Sequence, residues 1–259
     1  MARRIAELTT ESLKALLGTH SVVALVPVGS VEPHGPHLPL GTDTVISEAS
    51  ILRAVALLEA EATRPIAALV APAIPYGVTC FAEGFAGAIS VSAEALTAFA
   101  RAVVAGYLAT GFTHVCLVNN HLEPAHDAAV RASVAGFPAG RASVACPLSR
   151  RWGRTLSPEF KSGACHAGRY ETSLVLAAAP ETVDTAAAGA LPDIEVSLSD
   201  GIKAGKTSFQ AMGLERAYTG APARASAEEG TELLGRLATM IATEVREGLT
   251  LLQSSSGDT

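Results

Sequence analysis

The chain has 259 residues, of which 49% are hydrophobic and 17% charged, so it can bury a sizeable core. Its net charge of −6 argues against a nucleic-acid partner, and short basic pairs such as Arg3-Arg4 and Arg150-Arg151 are interpreted as solvated surface. The four cysteines are widely spaced, which excludes a disulfide scaffold and a thiolate zinc site and favours a reducing cytoplasm.

The sequence contains no segment that predicts export or a membrane span. Glu7 and Glu11 interrupt the N-terminal apolar residues, so a secretory signal is not expected. The longest stretch without charge, residues 65–82, is broken by Pro72 and Pro75 and is interpreted as a strand and a loop. We therefore expect a cytoplasmic protein with no membrane partner.

Helices and strands alternate along the first half of the chain. The pattern predicts a helix capped by Thr9 that ends near residue 17, a strand over 21–28, a helix over 45–61 and a strand over 67–74. The first strand is apolar at nearly every position, as expected for a central strand covered on both faces.

The alternation continues, with a helix over 92–110 that Gly111 ends, a strand over 114–119, a helix over 125–134, a strand over 142–147 and a helix over 170–178. This order predicts an α/β fold with a parallel or mixed central sheet between two layers of helices, a three-layer α/β/α arrangement.

The last part of the chain is less regular. Glycines and prolines are scattered over 186–227, and such a stretch usually covers a site or a partner subunit. A final amphipathic helix is predicted over 227–252. Because no linker or repeat divides the chain, we expect one catalytic domain over 1–252 and a polar tail over 253–259.

Imidazoles and carboxylates are concentrated behind two of the apolar strands. Glu32, His34, His37 and Asp43 lie on one loop after the strand over 21–28, and His121 and Glu123 follow the strand over 114–119. Open α/β sheets bind ligands at these carboxyl ends of their strands. Such side chains bind Zn²⁺, Mn²⁺ or Fe²⁺. The two clusters together predict a site for two ions, whereas His20, His114 and His126 are expected to be structural.

The segment GSVEPHGPHLPLGTD, residues 29–43, resembles the signature G-S-x-E-Q-H-G-P-H-L-P-L-x-T-D of the creatininase (creatinine amidohydrolase) family, with Pro33 in place of the common glutamine. The segment NNHLE, residues 119–123, is similar to the family's N-G-H-x-E motif. The segment HAGRYETS, residues 166–173, is similar to its H-A-G-x-x-E-T-S motif. The resemblance implies a creatininase-like fold and an amidohydrolase activity.

The resemblance also implies a role for each matching position. Two divalent metal ions per chain would be bound by Glu32, His34, Asp43, His121 and Glu123, with Asp43 shared between them. A water held between two ions has a lowered pKa, so hydroxide on the metals is the expected nucleophile. His37 is expected to donate a hydrogen bond beside the ligands rather than to bind metal.

His166 is implied as the group that exchanges protons with the scissile nitrogen, a task that suits an imidazole near its unperturbed pKa. Glu171 is expected either to orient His166 or to cap the following helix, and Glu123 counts among the catalytic residues as well as among the ligands. Cys80 and Cys165 are interpreted as core or wall residues, because no pattern supports a thiolate.

The chain departs from the family where a substrate would lie. After Pro75-Tyr76-Gly77 the family commonly has a Glu-His pair, which Phe81-Ala82 replaces here, and the single tryptophan, Trp152, lies well upstream of His166. Creatinine is therefore not the expected substrate. The sequence instead predicts an enzyme that hydrolyses a small-molecule C–N bond, in a cyclic amide or a formamide.

Three alternatives remain open from the sequence: a metal-dependent peptidase of a modified peptide precursor, a hydrolase of C–C or ester bonds with the same metals, and a metal-binding assembly protein without turnover. The resemblance further implies a homohexamer, in which residues 186–220 are the candidate subunit contact and site lid.

Overall fold

Five parallel strands and ten α-helices make up the part of the chain that the computed structural model describes, residues 2–60 and 65–256. The elements of the first half are, in chain order, β1 (Arg3–Arg4), α1 (Thr10–Thr19), β2 (Ser21–Val28), α2 (Thr42–Glu59), β3 (Ile66–Val70), α3 (Ala93–Ala109), β4 (His114–Asn119) and α4 (Pro124–Val134). Those of the second half are β5 (Ala142–Ala145), α5 (Arg150–Gly153), α6 (Pro158–Ser162), α7 (Arg169–Ala178), α8 (Thr185–Gly189), α9 (Leu198–Lys203) and α10 (Ala227–Ser256).

The strands form one sheet in the order β1-β3-β2-β4-β5, and every pair is parallel. All eight residues of β2 and all six of β4 are buried, because both strands are covered on their two faces by helices. The α/β prediction is confirmed, and the sheet is parallel rather than mixed.

Two separate apolar cores fill the space between the sheet and its two helix layers. One core contains the inward-facing residues of α2, α7 and α10, and the other contains those of α1, α3 and α4. The three-layer arrangement predicted from the sequence is therefore present. No helix in the described part of the chain is long and apolar enough to cross a membrane.

Most element boundaries agree with the sequence, and the differences have local causes. The strand predicted to reach residue 74 ends at Val70, shortly before Pro72, which has no amide hydrogen for the ladder. The last helix continues past residue 252 to Ser256, since neither glycine nor proline occurs between Leu249 and Ser256. Residues 257–259 of the expected tail lie outside the described residues.

The helix expected to start at residue 45 begins at Thr42, so Asp43 lies in its first turn instead of on the preceding loop. Four short helices of four to six residues (α5, α6, α8 and α9) were not predicted, because such lengths are too short to show a helical period.

The strand order places a topological switch beside β2. Its neighbours are β3 on one side and β4 on the other, and the register pairs Val28 with Asn119, so β2 and β4 end at the same level. The loop after β2 and the loop after β4 therefore meet at one crevice, which is where open parallel sheets bind ligands.

Candidate metal centre

Three helices begin at this crevice, and each brings a carboxylate to its first turn or its cap. Asp43 lies in the first turn of α2, Glu171 in the first turn of α7, and Glu123 is the N-cap residue of α4. Helix N-termini carry partial positive charge, so carboxylates are favoured there. The fold thereby gathers side chains that are 128 positions apart in sequence, from Asp43 to Glu171.

The loop after β2 is held close to α2 and to the C-terminal third of the chain. At Gly29 an added Cβ would lie 2.6 Å from Thr44 Oγ1, so only glycine allows the strand to end against the first turn of α2. Gly35 has a φ of 64°, and its N–H donates to the carbonyl of Ala217 at 2.8 Å. The loop is thus anchored from two sides.

His121 faces two carboxylates with one ring nitrogen and a carbonyl with the other. Its Nε2 donates to the carbonyl of Val78 at 2.8 Å, which leaves the lone pair on Nδ1. That Nδ1 lies 3.2 Å from Glu32 Oε1 and 3.1 Å from Asp43 Oδ2. A lone pair directed at carboxylate oxygens is repulsive unless a proton or a metal ion lies between them.

His34 repeats the arrangement on the other side of Asp43. Its Nδ1 donates to the carbonyl of Glu32 at 3.1 Å, while Nε2 lies 3.2 Å from Asp43 Oδ1 and 3.6 Å from Glu171 Oε2. This buried Nε2 has no hydrogen-bond partner among the described residues. Both imidazoles therefore present a free nitrogen to a pair of carboxylates, and both pairs include Asp43.

The electrostatics of the cluster indicate that positive charge belongs between these groups. Burial disfavours the charged form of His34, yet Asp43, Glu171 and Glu32 raise the pKa of this residue to about 10. Burial also opposes ionisation of Glu32, but His121 and His166 lower its pKa to about 2. The pKa of Glu171 is raised to about 8 by burial and by the neighbouring carboxylates, against the opposing effect of His34.

Within the described residues, three sets of side chains have ligand atoms close enough together to bind an ion: Glu32, Asp43 and His121; His34, Asp43 and Glu171; and Glu32, His34 and His166. Each set consists of nitrogen and oxygen donors, the donor set that suits Zn²⁺, Mn²⁺ and Fe²⁺. The free ring nitrogens and the excess of buried carboxylates fit divalent cations. The first two sets share Asp43.

His166 lies at the edge of the cluster between two rings. Its ring centroid is 4.5 Å from that of His34 and 4.5 Å from that of Phe209, on which it stacks. Its Nε2 donates to the carbonyl of Pro33 at 3.0 Å, and its Nδ1 lies 3.8 Å from Glu32 Oε1. The orientation therefore leaves Nδ1 free.

The pKa of His166 is lowered to about 4 by burial and by the facing His34, so it is far from the unperturbed value that the sequence suggested. The next residue, Ala167, has a φ of 50°, an unusual value for a residue with a side chain. Its N–H donates to Glu171 Oε2 at 2.7 Å, which couples the turn that carries His166 to the carboxylate cluster.

The three candidate sets include Glu171 and not Glu123, whereas the resemblance implies Glu123 as a ligand. The Glu123 carboxylate accepts hydrogen bonds from the backbone N–H groups of Cys80 (3.1 Å) and Phe81 (3.2 Å) and belongs to none of the three candidate sets. Glu171, which was expected only to orient or cap, belongs to one of them. His37 lies behind the cluster, where its Nε2 bonds with Thr172 Oγ1 at 2.8 Å.

Three residues of the site were missed from the sequence. Thr79 donates a short hydrogen bond to Glu32, His126 accepts from the N–H of Val78, and Phe209 stacks on His166. Thr79 follows the P-Y-G segment, which was already associated with the family pattern, so its position was a usable signal. Phe209 lies in the irregular stretch and has no motif around it.

A cavity of about 520 Å³ leads from the carboxylate cluster to the surface. Its walls include Phe81, Phe160, Cys165 and Phe209, whereas Trp152 is buried elsewhere and donates its indole N–H to Glu244 at 2.6 Å. The irregular stretch contributes one wall, through α9 and Phe209.

The chain is similar in sequence to known proteins. The family described as Creatininase: Creatinine amidohydrolase matches residues 6–245. A mycofactocin precursor peptide peptidase of Mycobacterium tuberculosis (strain ATCC 25618 / H37Rv) is 34% identical over 222 residues, covering 82% of this chain and 80% of that protein. A creatinine amidohydrolase of Pseudomonas putida is 27% identical and covers 70% of this chain and 73% of its own length.

The fold was compared with solved structures as well. A structure described as "Creatininase Mn" superposes with a TM-score of 0.71 at 22% identity, covering 95% of this chain and 98% of that one. At that identity the similarity establishes a common fold.

Proposed function

The chain belongs to the creatininase family of metal-dependent hydrolases, and on that premise we propose that it uses two divalent ions to hydrolyse a C–N bond. The observation that supports this most strongly is the pair of ligand sets on either side of Asp43, each with a free imidazole nitrogen facing carboxylates. In this proposal residues 1–252 act as one catalytic domain.

The proposed ligands of one ion are Glu32, Asp43 and His121, and those of the other are His34, Asp43 and Glu171. In this proposal Glu171 takes the place that the resemblance implied for Glu123, which belongs to none of the three candidate sets and accepts from two backbone N–H groups. Divalent ions bound there would polarise the substrate carbonyl and lower the pKa of a water molecule; Zn²⁺, Mn²⁺ and Fe²⁺ all suit these donors.

The remaining residues of the site handle protons and orientation. His166 is neutral near pH 7 and has Nδ1 free, so it accepts a proton there and passes it to the leaving nitrogen. Its ring is fixed by Phe209 and by the carbonyl of Pro33. Glu123 lies on the cavity wall, where its carboxylate fixes the backbone at Cys80 and Phe81 beside the substrate.

The substrate is proposed to be larger than a small ring. From the sequence, the expected substrate is a cyclic amide or a formamide, and a modified peptide precursor is an alternative. The cavity of about 520 Å³ and the 34% identity to a peptide peptidase now favour an amide bond in a modified peptide. Esters and 1,3-diketones assayed beside amide substrates would reveal ester or C–C hydrolysis, and no turnover at all would support a non-catalytic metal-binding protein.

We also propose that the chain forms a homo-oligomer, a hexamer by family resemblance, in a reducing cytoplasm. Leu40, Tyr76 and Ile89 expose large apolar side chains on two loops that pair with each other through Val31 and Ile89. The four cysteines are all free thiols. Sedimentation equilibrium would measure the subunit number.

Creatinine should be turned over poorly. Its flat ring needs closely spaced aromatic walls, and the structure offers phenylalanines around a wide cavity while its tryptophan lies elsewhere. We expect kcat/KM below about 10⁴ M⁻¹s⁻¹ for creatinine, the low end of ordinary enzymes. A steady-state assay of Zn²⁺- and Mn²⁺-loaded protein against creatinine, lactams, formamides and short modified peptides measures this, and faster creatinine hydrolysis than peptide hydrolysis would contradict it.

His126 should tune metal affinity without touching a metal. Its Nδ1 accepts from the N–H of Val78, and the carbonyl of Val78 accepts from His121, so one residue is held between two histidines. We expect His126→Gln to weaken metal binding about tenfold, the lower range for a side chain that supports a ligand. Competition with a chelating dye would measure it.

His114 provides a matched control at the other end of β4. It is also fully buried, and its ring forms hydrogen bonds with the carbonyl of Gly140 and with Ser143. It begins β4, whereas the carboxylate cluster lies beyond the other end of that strand. His114→Gln should lower the thermal midpoint as His126→Gln does, yet leave metal affinity unchanged. Equal affinity in both variants would remove His126 from the ligand-supporting network.

A further inference from the structure

The cavity has an uneven distribution of charge between its floor and its mouth. The acidic side chains that line it, Glu32, Asp43, Glu123 and Glu171, are all buried at the inner end. The charged residues that line its exposed end are all basic: Arg150, Arg154, Lys161 and Lys203. This is notable in a chain whose net charge is −6.

Most of these basic groups are not neutralised by the protein. Lys203 forms an exposed ion pair with Asp200 at 2.9 Å. Arg150, Arg154 and Lys161 form no ion pair with any residue in the described ranges 2–60 and 65–256. Arg150 and Arg154 lie at the two ends of α5, and Lys161 lies on α6, so two short helices bring positive charge to one opening.

The neighbour of Arg150 shows what an ordinary surface arginine does in the same helix. Arg151 lies outside the cavity lining and forms a two-pronged pair with Glu247, at 2.9 and 2.8 Å. From the sequence, Arg150 and Arg151 are both interpreted as solvated surface residues. In the structure the two side chains have different surroundings. One arginine is paired with α10 and the other is free at the cavity mouth.

Between floor and mouth the cavity wall is apolar. Leu148, Phe160, Leu198, Ile202 and Phe209 supply this surface, and Leu148 remains 41% exposed. A substrate that fills the cavity therefore meets a hydrophobic middle and a basic outer end.

We propose that the cavity mouth is a subsite for an anionic group, a carboxylate or a phosphate, on an amide whose apolar part lies along Leu148, Ile202 and Phe209. Arg150, Arg154 and Lys161 bind that group, and the scissile bond reaches the carboxylate cluster. This inference rests on the proposed function only for the scissile bond; the binding of the anion is independent of turnover. The cavity mouth thereby favours an amide that carries an anionic group over the neutral analogue of the same amide.

Binding tests the subsite without any reaction. Benzoate, phenyl phosphate and the neutral control benzamide are titrated calorimetrically into metal-loaded protein. We expect the two anions to bind and benzamide to bind more weakly. The triple substitution Arg150→Gln, Arg154→Gln and Lys161→Gln should weaken the anions about 10- to 30-fold, roughly threefold per charge, and the effect should shrink at high salt. Comparing benzoate with phenyl phosphate identifies the preferred anion.

Arg151→Gln is the matched control, because it removes an arginine from the same helix but not from the cavity. It should leave anion affinity unchanged. If the triple variant binds benzoate as tightly as the parent protein, or if Arg151→Gln weakens binding equally, the subsite is overturned. If benzoate binds only to the metal ions, the triple variant should bind it as tightly as the parent protein does.

Kinetics separates this inference from the proposed function. N-acylated dipeptides are assayed as free acids and as carboxamides. A preference for the acid that the triple variant loses supports both proposals. Anion binding that depends on the three residues, without hydrolysis of any panel member, supports the subsite and contradicts the hydrolase. Equal turnover of acid and carboxamide, with benzoate affinity unchanged by the triple substitution, retains the hydrolase and overturns the subsite.

Discussion

Asp43→Ala is expected to remove both metal ions at once and to lower hydrolysis by on the order of 10³-fold or more, because metal catalysis contributes several kcal/mol. Asp43 Oδ1 lies 3.2 Å from His34 Nε2, and Asp43 Oδ2 lies 3.1 Å from His121 Nδ1, so one carboxylate serves both candidate ligand sets. Elemental analysis of purified protein should change from about two ions per chain to none.

Two neighbouring carboxylates make this test specific. Glu171→Gln should cost one ion, because Glu171 belongs to a single ligand set. Glu123→Gln should keep both, because Glu123 belongs to none of the three ligand sets. Circular dichroism would confirm that each variant is folded. Full metal occupancy in Asp43→Ala would exclude the shared-ligand arrangement.

The regular part of the fold follows from local sequence patterns. The strands over 21–28 and 114–119 were predicted at their observed ends, because each is a run of apolar residues bounded by a turn. Ser92 accepts from Ala95 N as the cap of α3, and Gly111 has a φ of 103° just after its end, as its position suggested. These features depend only on neighbours in the chain.

The candidate site was only partly predictable, since distance in sequence hides contact in space. The motifs identified Glu32, His34, Asp43, His121 and His166, which the fold brings together. The motifs could not separate the proposed roles of Glu123 and Glu171, because the contacts of Glu123 with the backbone N–H groups of Cys80 and Phe81 form only in the folded chain. The contact of Phe209 with His166 depends on how the irregular stretch folds over the cavity. Which of Arg150 and Arg151 forms an ion pair depends on the position of Glu247 on α10.

The pKa of His166 could not be read from its motif either. Burial and the positive field of His34 lower it to about 4, and neither effect exists until β2, α2 and α7 have come together. The low pKa of His166 is therefore a property of the fold. In the proposed mechanism this residue accepts a proton before it donates one.

His166→Ala should separate metal binding from turnover. The ring donates Nε2–H to the carbonyl of Pro33 and leaves Nδ1 free, 3.8 Å from Glu32 Oε1, at the inner end of the cavity. Removing it deletes a positioned acid–base group, which is typically worth 10²- to 10⁴-fold in rate. We expect kcat to fall by that amount and KM to change little, while elemental analysis still finds about two ions per chain.

The decisive comparison is between metal content and rate in the same preparation, because Glu32, His34 and His166 also form a possible ligand set. Phe209→Leu is the matched variant: it removes the stacked ring 4.5 Å from His166 and leaves every proposed ligand in place. It should lower kcat less than His166→Ala does, with full metal content. If His166→Ala loses an ion, His166 is a ligand, and another group must carry the proton. The candidate is then Glu123, a carboxylate of the cavity wall that belongs to none of the three ligand sets.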